Sequence, residues 1–500
     1  MVHRRLLFAT WGVVLVVAAL RLSAQTNFGR ISGAVVDPSD AVIPGVKVVV
    51  TNTDTQAVRR VTSDERGFYV VESLPIGPYS VSVEHPGFRR AEQRGFSLVA
   101  DGRLTADFKL QIGDTAQSVE VVEVQKEVLN TVSGEVAHVV DREQVDNLAL
   151  NGRNYMELLT LVPGAIVTNP DQFAVSTSLS ATQQTVNGHR TNQNNMTVDG
   201  LGNLDGGSNG SLINNISPDF IQEVKIQTSN FSAEYGRSAG VSFGLMTKTG
   251  TNNLHGVLFE NFRNDVLDAR NFFSPDKQAL RFNDFGWNLG GPIRKNKMFF
   301  FAGQEWKRLR QESAPSRQTL PTTDQLSGNF GTRTIYYPGT RTPFPNSTIP
   351  PSMITPDGKA IASVYRTVMP LTASFTNLPG SNNAIFQNPN PLDYREDIGR
   401  FDYRINDQHS LFARWVDDYN SIYLANGPGG SIPITPEIRD RPGKSALLSE
   451  TWVITPTLVN EVRAGAAWNS QHYWNQGDTW LRSTQGFQFQ RIAKGEAESS

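Results

Sequence analysis

Apolar residues recur at every second position in segment after segment of the second half of this chain. No apolar run after Leu20 is long enough for a helix to cross a membrane. Phe401, Tyr403 and Ile405 alternate with Arg400, Asp402 and Arg404, and after the turn Asn406-Asp407-Gln408-His409 the chain returns through Leu411, Ala413 and Trp415. Val462, Ala464, Ala466 and Trp468 alternate with Glu461, Arg463 and Gly465. Successive side chains of a strand point to opposite faces, so each segment has one apolar and one polar face. Lipid offers backbone groups no water, so such strands enter it only by closing into a barrel. Aromatic residues near strand ends suit the interfacial belts.

Composition narrows the function classes. The formal net charge is −2, and no basic block points to nucleic acid. Cysteine is absent, which excludes disulfide frameworks, thiolate metal sites and cysteine nucleophiles. The histidines lack i, i+4 spacing for a metal, and neither a phosphate loop nor a G-x-S-x-G elbow is present. The chain is read as a non-enzyme without cofactor. His3, Arg4 and Arg5 precede the apolar run Leu6–Leu20 and the small pair Ser23-Ala24. That order reads as a signal peptide over residues 1–24, with an uncleaved anchor as the alternative.

Residues 27–112 carry short strands between Gly/Pro turns, the pattern of a β-sandwich. Gly33, Val35, Asp37, Gly45, Val46, Asp64, Gly67, Tyr69, Leu74, Pro75, Gly77, Tyr79 and Gly87-Phe88 together resemble a carboxypeptidase regulatory-like domain. Phe68, Tyr69, Tyr79 and Phe88 are read as core rather than as a sugar platform. Residues 113–126 form an extended link. A helix is expected after Asp141, as its cap, and another over Asn154–Leu161. The polar stretch between Asn169 and Ile216 reads as solvated loop.

In FIQEVKIQTSNFSAEYGRSAGVSFGLMTKTGTNNLHG, residues 220–256, Val224, Ile226 and Thr228 share one strand face, and Glu223, Lys225 and Gln227 the other. This run resembles the end of the plug in TonB-dependent outer-membrane receptors, most closely their Oar-like branch. Val241, Phe243 and Leu245 depart from that branch's smaller or β-branched residues. The resemblance implies a plug over residues 127–250 and a barrel over 251–500. It implies a periplasmic TonB-type energising partner, outer-membrane lipid around the barrel, and an extracellular ligand that is a siderophore, oligosaccharide or peptide. It also implies a TonB box in the link, for which Ser118, Val119, Glu120, Val121 and Val122 are the candidates. A plain linker strand is the alternative. Strand addition needs free backbone groups rather than special side chains. Plug–wall contacts are expected at Glu223, Glu234 and Arg237, the last opposite Glu260 or Asp265, and an apical plug loop at Asn187, Arg190 and Asp199.

The fold expected is mainly β: an N-terminal seven-stranded-type β-sandwich, an α+β plug, and the first part of a transmembrane antiparallel β-barrel. Residues 309–394 read as one long loop. About seven or eight candidate strands follow residue 250, against about 22 in plugged transporters, so a truncated wall is expected. The function implied is energised uptake across the outer membrane of a Gram-negative-type bacterium. A surface or secreted glycan- or peptide-binding adhesin is the alternative.

Overall fold

The computed structural model describes residues 28–113, 120–123, 134–167, 184–207, 209–231, 235–236, 239–270, 272, 277–313, 315–427, 432–455, 458–476 and 486–488. The expected signal peptide therefore lies outside the described residues, as do Ser118, Val119, Glu234 and Arg237.

The first unit is a sandwich. One sheet holds β4 (Phe68–Leu74), β1 (Gly29–Val36) and β7 (Arg103–Thr105) in that order, with β8 (Phe108–Lys109) also on β1. The other runs β3 (Val58–Thr62), β2 (Lys47–Asn52), β5 (Gly77–Glu84), β6 (Ala91–Leu98), β9 (Glu120–Glu123). Strand alternation sends Ile31, Val35, Val48, Val50, Val81 and Val83 into the space between the sheets. Tyr69 and Tyr79 join them, their hydroxyls donating to the carbonyls of Ala106 at 2.6 Å and Pro75 at 2.7 Å, so each buried phenol is satisfied. Phe68, one residue out of phase with Tyr69, is 41% exposed, and Phe88 only edges the core, so the reading of all four aromatics as core holds for two. Gly33 is required by crowding: a Cβ there would sit 2.0 Å from the Ala106 carbonyl oxygen. The link is no free tether throughout, because β9 pairs in parallel with β6, Glu120 opposite Ala91 through Glu123 opposite Arg94.

The second unit is built on a sheet ordered β10 (Val136–Val140), β15 (Ile221–Ser229), β16 (Ser242–Thr247), β13 (Asn195–Val198), β14 (Leu201–Gly202). A small hairpin, β11 (Ala165–Val167) with β12 (Gln184–Val186), stands beside it. Asp141 caps the helix Arg142–Asn147, accepting from the Gln144 amide at 2.9 Å. The segment Tyr155–Leu161 winds as a 3₁₀ helix, capped by Asn154, and buries Tyr155, Met156, Leu158 and Leu159. Asp199 and Gly200, with φ of +48° and +81°, form the two-residue turn between β13 and β14.

The third unit is an antiparallel sheet in the order β17 (His255–Asn264), β18 (Leu280–Arg294), β19 (Met298–Gln311), β23 (Leu392–Arg404), β24 (His409–Leu424), β25 (Glu437–Thr455), β26 (Leu458–Asn469). A further strand, β27 (His472–Asn475), pairs β25 beyond β26. Among the described residues the outer strands β17 and β26 are not paired to each other. Leu258, Phe262, Trp415, Tyr419, Leu448 and Trp452 are exposed on the convex face. Asp284, Glu305, Glu396, Arg414, Asp418 and Asn420 are buried on the concave one. The connection between β19 and β23 departs from the expected long loop. Both strands run further than the sequence suggested, and residues between them fold into β20 (Ser316–Gln318), β21 (Ser374–Phe375), β22 (Ala384–Phe386) and the helix Pro356–Val368. Leu320, Val368, Ala384 and Phe386 give this insert its own core.

Candidate functional site: the plug–wall interface

The second unit fills the concave face of the sheet, and its apolar core is continuous with the wall. Val224, Ile226, Phe243 and Phe220 pack in one cluster with Phe301, Ile398 and Val416. Phe220 meets Phe301 edge-on with centroids 6.2 Å apart. The fit depends on absent side chains: a Cβ on Gly303 would lie 2.5 Å from the Phe220 ring, and one on Gly443 would lie 1.9 Å from the Ile213 carbonyl oxygen.

Around this contact lie two polar clusters of opposite sense. In the first, the plug supplies the anion. Asp199, 1% exposed, accepts from the Thr247 amide at 2.9 Å and hydroxyl at 2.8 Å. Its carboxylate also meets Nη1 of Arg400 at 3.2 Å and Nε of Arg414 at 3.6 Å. Arg400 is held in turn by Asp402 at 2.9 Å and lies over the Phe412 ring at 4.5 Å. Arg463 of β26 donates to the Asp199 carbonyl at 3.3 Å.

In the second cluster the wall supplies the anions. Asp418 accepts from the Asn215 amide at 2.7 Å, and Glu396 from the Ser217 amide at 2.8 Å. Glu305 accepts from the Ser217 hydroxyl at 2.6 Å. Arg153 of the plug pairs Asp219 and reaches Asp284 of β18 at 3.0 Å, and Lys307 donates to the Arg153 carbonyl at 3.3 Å. Tyr394 donates to the Asn215 carbonyl at 3.1 Å. Most of these contacts join a plug loop or Arg153 to charged wall side chains, and charge-assisted bonds of this kind are strong when dry. Water can replace each one when the two surfaces part.

The expected site residues scatter. Asp199 is no apical loop residue: it is buried between plug and wall and lines a cavity that opens toward the sandwich. Asn187 and Arg190 are exposed elsewhere on the plug; the Asn187 amide donates to the Thr228 carbonyl at 3.3 Å and the Arg190 N–H to Gln193 at 3.3 Å. Glu223 does not face the wall. It is buried and accepts from the Ala100 amide of the sandwich at 2.6 Å. Burial pushes its carboxyl up to about 7, against the lowering pull of that amide and of Lys225. Lys225 reaches Asp101 at 2.9 Å and Glu135 at 3.2 Å. The polar face of β15, on which Glu223 was expected to meet the wall, is thus covered from the sandwich side. Sequence reasoning missed Arg153 and the loop Asn214–Ser217, which sits in a stretch whose composition reads as solvent-exposed. It also missed Arg400 and Arg414 as partners of Asp199, although the alternation of Arg400, Asp402 and Arg404 put Arg400 in the inward phase and Arg414 lies between the outward Ala413 and Trp415.

A small globular unit seated in the concave, charged face of an antiparallel wall with an apolar outer face is the arrangement of a plug against part of a barrel wall. Family models agree along the chain: a carboxypeptidase regulatory-like domain matches residues 30–111, a TonB-dependent receptor plug domain 129–241, and an outer membrane beta barrel domain 246–498. The chain belongs to the TonB-dependent outer-membrane receptor family. The TonB-dependent transporter Oar of Myxococcus xanthus is 25% identical over 472 residues, covering 89% of this chain and 38% of that protein. The chain thus spans well under half the length of that relative. Among solved structures, the siderophore receptor PirA from Acinetobacter baumannii is similar at 13% identity and a TM-score of 0.34, over 67% of this chain and 44% of that one. The outer membrane transporter YddB from Escherichia coli is similar at 11% identity and a TM-score of 0.40, over 67% of this chain and 38% of that one.

Proposed function

We propose that this receptor takes up a ligand across the outer membrane by energised movement of its plug. The observation that carries the reading is the interface itself. Around the shared apolar cluster, plug and wall are joined by hydrogen bonds and ion pairs such as Asn215 to Asp418 and Asp199 to Arg400, which water can take over as the plug shifts. The energising partner is a periplasmic TonB-type protein with which the box at Ser118–Val122 pairs as an added strand, Glu120–Val122 through the edge of β9 that β6 leaves free. The signal peptide over residues 1–24 is removed on export, and the convex face of the wall meets outer-membrane lipid.

The candidates for the ligand are a siderophore, an oligosaccharide or a peptide. The test offers labelled ferric siderophores, maltodextrins and short peptides in turn to cells carrying the full receptor. Val121→Pro removes a ladder donor from the box. It is expected to abolish energised uptake of the accepted probe while binding at the cell surface persists. Full uptake by the variant contradicts the box assignment, and surface binding without uptake in the parent favours the adhesin.

A further inference from the structure

We propose that the N-terminal sandwich is a second stopper, seated across the short-turn end of the wall beneath the plug, and that it lifts before cargo can leave the lumen. The proposal rests on the transport reading above and concerns a unit to which that reading gives no task.

The sandwich touches both other units. On the plug it donates the Ala100 amide to Glu223 at 2.6 Å and offers Asp101 to Lys225 at 2.9 Å. On the wall its Asp54 carbonyl accepts from the Asn252 amide at 3.0 Å, and its Gln56 carbonyl from Arg404 at 3.3 Å. Arg59 donates to the Asp407 carbonyl, and Arg60 pairs the Asp407 carboxylate at 3.4 Å. Asp407 lies in the tight turn between β23 and β24, and Asn252 binds Asn296 in the turn between β18 and β19. The sandwich therefore sits at the end of the wall that carries short turns, the periplasmic end of such barrels.

Two further observations make this a stopper that can move. The apolar cores do not merge: the sandwich cluster contains no plug or wall residue, and the plug–wall cluster contains no sandwich residue. A junction carried by polar contacts between separate apolar cores is the kind along which domains shift as rigid bodies. The seated sandwich also closes over a cavity of about 190 Å³. Leu74 and Tyr79 of the sandwich form one side, and Asp199, Arg400 and Phe412 the other. That space is smaller than ordinary small-molecule pockets, so a cargo that clears the plug meets the seated sandwich before it can pass.

The absence of cysteine from this sequence makes the test direct. Ser410 lines the chamber. In the full receptor in lipid nanodiscs, Ser410→Cys is labelled with a bulky hydrophilic maleimide, alone and together with Asp407→Arg. The second change replaces the carboxylate that pairs Arg60 and Arg404, beside Arg59, with a cation on an exposed turn away from every apolar core. Labelling at least tenfold faster in the double variant is expected, with heat-modifiable migration retained; equal rates overturn the stopper. In cells, Asp54→Cys with Asn252→Cys locks the sandwich to the wall. The backbone hydrogen bond between these residues brings their Cα atoms within disulfide reach. The oxidised receptor is expected to lose at least tenfold in uptake of the accepted probe, binding unchanged, and a reductant is expected to restore it. Undiminished uptake by the locked receptor overturns the requirement to lift. A receptor that takes up nothing even when reduced counts against the transport reading instead, and the labelling rates still decide whether the sandwich covers the chamber.

Discussion

Asp199→Ala isolates the first polar cluster. The substitution removes the carboxylate shared by Thr247, Arg400 and Arg414. Breaking a buried pair by deleting one partner costs about 3–5 kcal/mol, because the remaining charge is stranded. Here the loss is uneven. Arg400 keeps Asp402, whereas Arg414, 3% exposed, keeps only a 3.4 Å contact to Ser445 among the hydrogen bonds and ion pairs described. The expected cost is therefore near the lower end, about 3 kcal/mol, or roughly a hundredfold in the plug-seating equilibrium. Hydrogen exchange reads it directly: amides of β15 and β16 in the full receptor are expected to exchange faster by about that factor. Adding Arg414→Leu removes the stranded cation and is expected to recover a large part of the loss, a non-additivity that a double-mutant cycle measures. Exchange within about threefold of the parent, or strictly additive effects, would refute the claim that this cluster holds the plug.

Close approach gives a second expectation. Gly443→Ala places a Cβ 1.9 Å from the Ile213 carbonyl oxygen and 2.3 Å from the Asp418 carboxylate, and is expected to loosen plug seating by about 1–3 kcal/mol. Gly399→Ala in the neighbouring wall meets nothing within 4 Å and is the neutral control in the same exchange assay. Glu223 gives a pH dependence. Its carboxyl is raised from 4.5 to about 7 in the folded protein, so the folded state binds the proton more tightly than the unfolded one. Its contribution is greatest below pH 4.5 and is lost as pH rises toward about 7, a loss of about 3 kcal/mol at most. Glu223→Gln is expected to flatten that stretch of a denaturation-midpoint profile, and an unchanged slope between those values assigns it to other groups.

The architecture was legible because its signals are local. Gly/Pro turns at regular spacing announced the sandwich, Asp141 announced a helix start, and two-residue alternation announced the wall. What was not legible depends on partners far away in the chain. Asp199 followed by glycine reads as an exposed turn and does make the turn, yet Arg400 and Arg414, some 200 residues on, bury it. Asn214–Ser217 reads as solvated by composition, yet its amides are consumed by wall carboxylates. The polar face of β15 has the alternation of a half-exposed strand, but the sandwich covers it with an amide and a carboxylate. Periodicity reports which faces differ; only tertiary pairing decides what each face meets. The long connection after β19 was misread for the same reason. Pro, Ser, Thr and Asn dominate its composition, while a few apolar residues such as Val368 and Phe386 suffice for a core.

A spin-label scan of residues 445–452, one position at a time in the full receptor in a lipid bilayer, tests the central account most directly. Ser445, Leu447, Ser449 and Thr451 face the plug, whereas Ala446, Leu448 and Trp452 are exposed on the convex side. Oxygen accessibility is expected to peak at 446, 448 and 452 and to fall at the odd positions between them. A flat profile, or collisions with a water-soluble relaxer at 446 and 448 as frequent as in bulk solvent, would contradict a plug enclosed by a lipid-facing wall.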